Sequence, residues 1–410
     1  PSISRGRTNT MHRTTTGRLG AAALGLSLVA VAACGSDKKA ADTTTTATTA
    51  PQSSSSAAPG GDGVTCEAGL KLAFLGALSG DNGALGTNMV NGMSIAIDDF
   101  NAANPNCQIT LDRSYDSQGD PAQATPLADT IVNDAKIIGL VGPGFSGETR
   151  ATMPTFEEFG LPMISPGATN ATLSQEGWKM FHRVLANDDK QAPGVAALIK
   201  DTIKATKVGV IDDATDYGKG LAESVKTNLG SLLVESATIN PDSADYSAAV
   251  TAMKNAGVDA VFYSGYYAEA AKFVSQMRDA GVTATFVSGD GSLDVGFIDN
   301  AGAASEGAYL TATGAPPDVN PEFSAKFNAK FGTDPTLYSP EAYDAASVFL
   351  AGIAAGNVTR DALATFIDGY DAQGITKNLK FDATGEPEGS AVFYTIVEGG
   401  KLVSKGLIGA

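Results

Sequence analysis

Short apolar runs alternate with longer stretches of helical period along most of this chain, and that alternation restricts the fold more than any other feature. Leu70–Gly76 is followed by Leu85–Asn101, in which Met89, Met93, Ile97 and Phe100 fall on one helical face. Then come Gln108–Tyr115, a helix from Pro121, Ile137–Val141 and a helix from Ser146. Strands separated by helices of this length form βαβ units, whose right-handed crossovers build parallel sheets. After the polar stretch Ala186-Asn187-Asp188-Asp189-Lys190 the alternation restarts. Lys207–Asp212, Leu232–Ile239, Ala260–Ser264 and Thr285–Ser288 read as strands, with helices from Tyr217, Tyr246 and Tyr267 between them. The two halves share a faint likeness, KLAFLGALSG against KVGVIDDATD, the trace of a repeat. Beyond Thr311 the pattern turns mostly helical, over Asn320–Phe331, Pro340–Ala355 and Arg360–Tyr370. It ends in a hairpin, Ala391–Glu398 and Lys401–Leu407 around Gly399-Gly400. The expected class is α/β, with two Rossmann-like parallel-sheet lobes.

Composition narrows the function. At roughly 100–200 residues per domain, 410 residues suit about two domains. The net charge is −17, and four basic residues (Arg5, Arg7, Arg13, Arg18) but no acidic one precede Cys34, so the remainder is more acidic still. Such a surface repels phosphate backbones, which argues against a nucleic-acid partner. Only two histidines occur, His12 and His182. Zinc sites, catalytic triads and most general-base chemistry draw on histidine first, so neither a metal nor a cofactor is expected and hydrolases lose ground. No apolar run of about 20 residues occurs outside the N-terminus, which excludes a multi-span membrane protein.

The N-terminal segment speaks to compartment. From Met11 a basic start (His12, Arg13, Arg18) leads into the apolar stretch Leu19–Ala32 and small residues before Cys34, the pattern of a secretory signal that begins at Met11 and, with the upstream residues Pro1–Thr10, takes up 1–33. Val31-Ala32-Ala33-Cys34 resembles a bacterial lipobox, in which the cysteine carries the lipid. Residues 34–65 then read as a flexible tether rich in Ser, Thr and Ala. Assigning Cys34 to lipid leaves Cys66 and Cys107 as a pair. Each stands just before a predicted strand, so neighbouring parallel strands would bring both to one sheet edge.

Several loops at strand ends carry candidate chemistry. Gly142-Pro143-Gly144-Phe145-Ser146-Gly147 matches G-x-G-x-x-G between a strand and a helix, yet no acidic residue stands about twenty positions on to hold a ribose. The same loop fails the nucleophile-elbow pattern, since Glu148 stands where its last glycine belongs. Backbone N–H groups at that helix start, with the Ser146 hydroxyl, suit an anion; the plainer reading is a serine N-cap. Ile164-Ser165-Pro166-Gly167-Ala168-Thr169 is a second hydroxyl-bearing loop after a strand. Asp212–Gly218, Tyr263–Tyr267 and Ser288–Gly291 each add a tyrosine or an aspartate. Together these loops could pair an ammonium with Asp290 and pack tyrosines on an apolar side chain.

Taken together, Gly76–Gly80, Tyr115–Ala124, the Val141-Gly-Pro loop, Ile164–Thr169, Asp216–Gly220 and Tyr263–Tyr266 resemble the leucine/isoleucine/valine-binding proteins of ABC importers, over roughly Leu70 to Leu407. The resemblance implies a type I periplasmic-binding fold with a three-crossover hinge, one lobe at 66–186 plus 312–390 and the other at 187–311 plus 391–410. It implies an amino-acid carboxylate on Ser146 and Thr169 with backbone help at Gly167 and Ala168, an ammonium on Asp290, and clamp tyrosines Tyr217 and Tyr266. Leu85 stands where leucine-binding members have an aromatic residue, and Asp290 is one methylene shorter than the family's usual Glu. The implied protein is an extracytoplasmic lipoprotein without catalytic activity, a monomer that captures a small aliphatic amino acid and delivers it to ABC permease subunits. A ligand-sensing receptor subunit, a binder of amides, urea-like compounds or aromatic acids, and an exported hydrolase using Ser146 and His182 are the alternatives.

Overall fold

The computed structural model describes residues 64–389 and 391–408. The expected signal at 1–33, Cys34 and nearly all of the 34–65 tether lie outside the described residues. The first half builds β1 (Lys71–Gly76), α1 (Gly83–Ala103), β2 (Thr110–Asp116), α2 (Pro121–Asn133), β3 (Ile137–Val141), α3 (Ser146–Glu158), β4 (Met163–Ser165) and β5 (Phe181–Arg183). These five strands are parallel in the order β2-β1-β3-β4-β5. β3 is buried throughout and all apolar but for one glycine, as a strand covered on both faces must be.

The second half repeats the pattern. It comprises α4 (Asp188–Ala197), β6 (Val208–Asp212), α5 (Asp216–Leu229), β7 (Leu233–Thr238), α6 (Ser247–Ala256), β8 (Ala260–Ser264), α7 (Tyr267–Asp279), β9 (Thr285–Ser288), α8 (Val295–Ala301) and β10 (Tyr309–Ala312). Its parallel strands run β7-β6-β8-β9-β10, the same order as in the first sheet. The faint sequence repeat is thus a repeat of topology, with β1 matched to β6 as KLAFLG is to VGVID. The remaining elements are α9 (Pro321–Phe331), α10 (Ser339–Ala354), α11 (Arg360–Asp368), the small hairpin β11 (Asp371–Gln373) and β12 (Asn378–Lys380), and the hairpin β13 (Phe393–Glu398) and β14 (Lys401–Leu407). β13 joins β10 antiparallel and β14 closes that edge.

Four short strands escaped the sequence pattern. β5, β10, β11 and β12 have three or four residues each, too few for periodicity to register. The polar stretch after Ala186 carries the chain from the first sheet into the second half and opens α4, with Asp188 and Asp189 in its first turn.

Among the described residues the chain passes between the two sheets three times: from β5 to α4, from β10 to α9, and from β12 to β13. α9 and α10 return to pack on α1 of the first lobe, and there Gly92 lets the helices meet. A Cβ at Gly92 would stand 2.0 Å from the Ser339 carbonyl oxygen. The three passages are tied to one another. The Thr313 hydroxyl donates to Ala186 O (2.9 Å) and Asn187 Nδ2 to Glu386 Oε1 (3.0 Å). Arg183, at the end of β5, is fully buried and pairs with Glu386 through Nε (3.1 Å) and Nη2. Its Nη1 donates to Ala168 O (2.8 Å) and Asn170 O (3.0 Å).

Cys66 and Cys107 are joined, with Cα atoms 4.8 Å apart, because β1 and β2 are adjacent and parallel. Among the described residues no helix is long and apolar enough to cross a membrane. The bridge constrains a loop of 41 residues in the unfolded chain. Replacing both cysteines by serine is expected to cost about 2–4 kcal/mol in a urea titration of the full chain; an unchanged midpoint would show that the bridge contributes nothing to stability.

Candidate ligand-binding cleft

Both sheets have their topological switch points, β1/β3 and β6/β8, at the C-terminal strand ends, where open α/β sheets bind ligands. The loops following those ends face each other across the lobes. Phe145, after β3, stacks on Tyr266, after β8, with ring centroids 4.3 Å apart. Arg150 Nε on α3 reaches Asp216 Oδ1 at the start of α5 (2.9 Å), and Asn170 Nδ2 donates to Asp216 O (2.7 Å). Asn88 on α1 donates to Asp294 Oδ2 (3.2 Å), and Asn82 Nδ2 to Glu269 on α7 (3.2 Å). The lobes are therefore closed on each other around the cleft.

Of the residues singled out from sequence, Ser146 and Thr169 come together on the first lobe. Ser146 is the first residue of α3 and not its N-cap, which is Phe145. The cap role falls to Glu148, whose carboxylate accepts from Phe145 N (2.9 Å) and from the Ser117 hydroxyl. This frees Ser146 to accept from Asn170 N (3.1 Å), joining the two hydroxyl-bearing loops. Gly142 permits the tight turn before them, at φ +106°, where a Cβ would lie 2.4 Å from Leu75 O. Ser165 Oγ accepts from Gly167 N (3.4 Å) and Ala168 N (2.9 Å), so these two amides are engaged within their own loop. The Thr169 hydroxyl is fully buried and has no hydrogen-bond partner among the described residues. Leu85 lies on the buried face of α1, in the same apolar cluster as Met89, Phe145, Tyr217 and Tyr266.

On the second lobe Asp290 is 1% exposed and lies in a short helical turn after β9. The Tyr217 hydroxyl donates to its Oδ1 (3.0 Å) and accepts from Gly291 N (3.1 Å). The Tyr338 hydroxyl donates to its Oδ2. Burial pushes the Asp290 carboxyl up from its ordinary range, and these two phenols hold it back. Tyr266 packs 5.2 Å from Tyr217, so both expected clamp residues and Asp290 meet in one place.

Tyr338 was not legible as a site residue. It precedes α10 in the left-handed region at φ +69°, a conformation costing a non-glycine residue about 1–3 kcal/mol. In sequence it looks like an ordinary residue before a helix start, Ser339-Pro340. His182 does not assemble with Ser146: it lies on β5, buried, with Nε2 3.3 Å from Asp368 Oδ1 and its ring edge-on to Phe381. A serine hydrolase needs its base hydrogen-bonded to the nucleophile, and Ser146 instead accepts from Asn170 N.

The periplasmic binding protein family matches residues 69–401. This chain belongs to that family. Its relatives include the leucine-specific-binding protein of Salmonella typhimurium, 34% identical over 249 residues, which cover 59% of this chain and 66% of that protein, just under two thirds of its length. The Leu/Ile/Val-binding protein homolog 2 of Brucella abortus is 32% identical over 336 residues, 79% of this chain and 89% of that protein. Among solved structures, the branched-chain amino acid transporter substrate binding protein of Streptococcus pneumoniae, in complex with isoleucine, superposes with a TM-score of 0.76. It is 27% identical and covers 83% of this chain and 99% of that one. The fold is that of a type I periplasmic-binding protein, and the relatives are substrate-binding proteins rather than enzymes.

The buried Glu148 makes stability pH-dependent. Burial pushes its carboxyl from 4.5 up to about 7, against the hydrogen bonds from Ser117 and Phe145 N. Between those values the folded protein holds a proton that the unfolded chain has lost, so this group's contribution weakens as pH rises through the window. Glu148→Gln cannot titrate. Urea midpoints are expected to fall more steeply from about pH 5 to about pH 7 in the parent than in Glu148→Gln; parallel curves would mean that Glu148 does not titrate there.

Proposed function

We propose that this protein is the extracytoplasmic substrate-binding component of an ABC importer and takes a small aliphatic α-amino acid of branched-chain type between its lobes. The observation that carries this reading is the cleft's division of charge. A buried carboxylate, Asp290, is oriented by the phenols of Tyr217 and Tyr338, while Ser146 and the unpartnered Thr169 hydroxyl stand on the opposite lobe. A zwitterion fits such a pair of subsites, with its ammonium toward Asp290 and its carboxylate toward Ser146 and Thr169. Leu85 and the Phe145, Tyr217 and Tyr266 rings supply apolar surface for an aliphatic side chain. The relatives' names, which specify leucine, isoleucine and valine, support the same class.

In this reading the protein performs no chemistry. The lobes, 66–186 plus 312–390 and 187–311 plus 391–410, rotate about the three passages. A ligand touching both favours the closed state, which the permease recognises. Tyr338 departs from first-lobe α10 to reach Asp290, so ligand contact and closure share one carboxylate. The Cys34 lipobox pattern supports tethering to the outer face of the cell membrane, and the Cys66–Cys107 bridge fits an oxidising compartment.

Calorimetry of the full chain with L-isoleucine tests the assignment. Binding is expected, and Asp290→Ala should weaken it by about 2–5 kcal/mol, because a buried ammonium loses its partner. The deaminated analogue 3-methylpentanoate should bind poorly to the parent and be indifferent to Asp290→Ala. Equal affinity of the variant for isoleucine would overturn the role of Asp290, and no binding of any aliphatic amino acid would overturn the ligand class.

A further inference from the structure

Among the second-lobe helices that start at the cleft, α5 and α8 carry their own side-chain caps. Thr215 Oγ1 accepts from Gly218 N in α5 (2.9 Å), and Asp294 Oδ1 from Gly296 N in α8 (2.8 Å). α7 has no such cap from its own lobe among the described residues. Its N-cap is Tyr266, whose ring is stacked on Phe145, and the first bond along the helix runs from Ala270 N to Tyr266 O (3.0 Å). The amides of its first turn therefore need an acceptor from elsewhere.

That acceptor comes from the other lobe. Asn82 Oδ1 accepts from Ala268 N (3.2 Å), and Asn82 Nδ2 donates to Glu269 Oε2 (3.2 Å). Ala268 and Glu269 are the second and third residues of α7. An N-cap side chain ordinarily serves the amides at those positions, and an acid at the third answers it. A backbone N–H and a carboxylate oxygen admit one orientation of the Asn82 amide, oxygen to the first and nitrogen to the second. Asn82 is itself the N-cap of α1, where asparagine is favoured because it can cap its own helix, yet it makes no such bond. The side chain is diverted from α1 of the first lobe to α7 of the second. Glu269 is buried, so within the closed cleft a lost amide donor leaves its carboxylate short of a partner. Asn82 carries no charge, and seating it there costs no desolvation of an ion.

We propose that Asn82 is a positioning residue for lobe closure, which caps α7 from the opposite lobe when the two meet and leaves it uncapped when they part. Separation returns Ala268 N and the Glu269 carboxylate to water, so the cap counts toward the closed state alone. A ligand held by both lobes is bound most tightly in that state, and the cap adds to its affinity without touching it. Because the contribution lies in the lobe equilibrium, it is the same for every ligand that closes the lobes. The other crossing contacts, Asn88 Nδ2 to Asp294 Oδ2 and Arg150 Nε to Asp216 Oδ1, reach helix starts that are capped without them.

This inference rests on the reading that the cleft closes on an aliphatic amino acid. Its test is calorimetry of the full chain with L-leucine, L-isoleucine and L-valine. Asn82→Ala should weaken each of the three that the parent binds by one common factor, about two- to thirtyfold. Asn82→Asp keeps an acceptor for Ala268 N but sets a carboxylate against Glu269, and should also lose affinity. Asn82→Asp combined with Glu269→Gln restores a donor and an acceptor with their direction reversed, and should recover most of the loss. Damage to the loop after β1 would not be repaired by a substitution on α7, so the recovery separates a cap from a misfolded loop. Equal affinities in the parent and Asn82→Ala, losses that differ among the amino acids, or a double variant no better than Asn82→Asp would overturn the proposal while leaving the ligand class intact. Failure of all three to bind the parent would overturn both.

Discussion

The ion pair between Arg183 and Glu386 ties the first passage between the lobes to the last. Arg183 ends a three-residue strand and is wholly buried, while Glu386 belongs to the last passage between the lobes, some two hundred residues later. A guanidinium is taken out of water only when its donors are met, and here the pair and the Ala168 and Asn170 carbonyls meet them. Those two carbonyls flank Thr169. Loss of either partner would strand a buried charge and also release the loop that presents the Thr169 hydroxyl. The placement of the candidate carboxylate subsite therefore depends on a contact outside it, between the first and third passages.

The repeated strand order explains why the subsites oppose each other. Each sheet, built 2-1-3-4-5, directs its switch point toward the loops of the other, so the same local device appears twice with different side chains. The first lobe places hydroxyls and helix-start amides there, and the second places Asp290 and tyrosines. A repeat of topology thereby yields a cleft of unlike halves, which is what a zwitterion requires. The interaction across the cleft is mostly amide and phenol donors on carboxylates together with ring stacking, with Arg150 and Asp216 a partly exposed pair whose worth is small.

Much of this was legible in sequence because it is local. β3, β8 and β9 begin and end where their apolar runs do, the closing hairpin turns at Gly399-Gly400, and the cysteine pairing followed from the adjacency of two strands. Ser146, Tyr217 and Asp290 could be placed because each follows a strand end. The unread parts depend on distant partners. Ser146 looked like a helix cap, and only the fold shows that Glu148 caps α3 with Ser117 from another loop. Tyr338 stands before a helix start with no motif around it, and it acquires meaning from Asp290, 48 residues away.

The outer strands carry a consequence of their own. β2 and β7 are the parallel edges of the two sheets and β14 the antiparallel one, and each has charge along its length: Asp112 and Arg113, Glu235, and Lys401 with Lys405. The remaining edge, β5, is three residues long and covered where Arg183 N donates to Gly385 O (3.1 Å). A strand from another copy that tried to extend either sheet would have to desolvate those charges or displace that cover. Each open edge of the two sheets thus opposes backbone pairing with another copy of the chain.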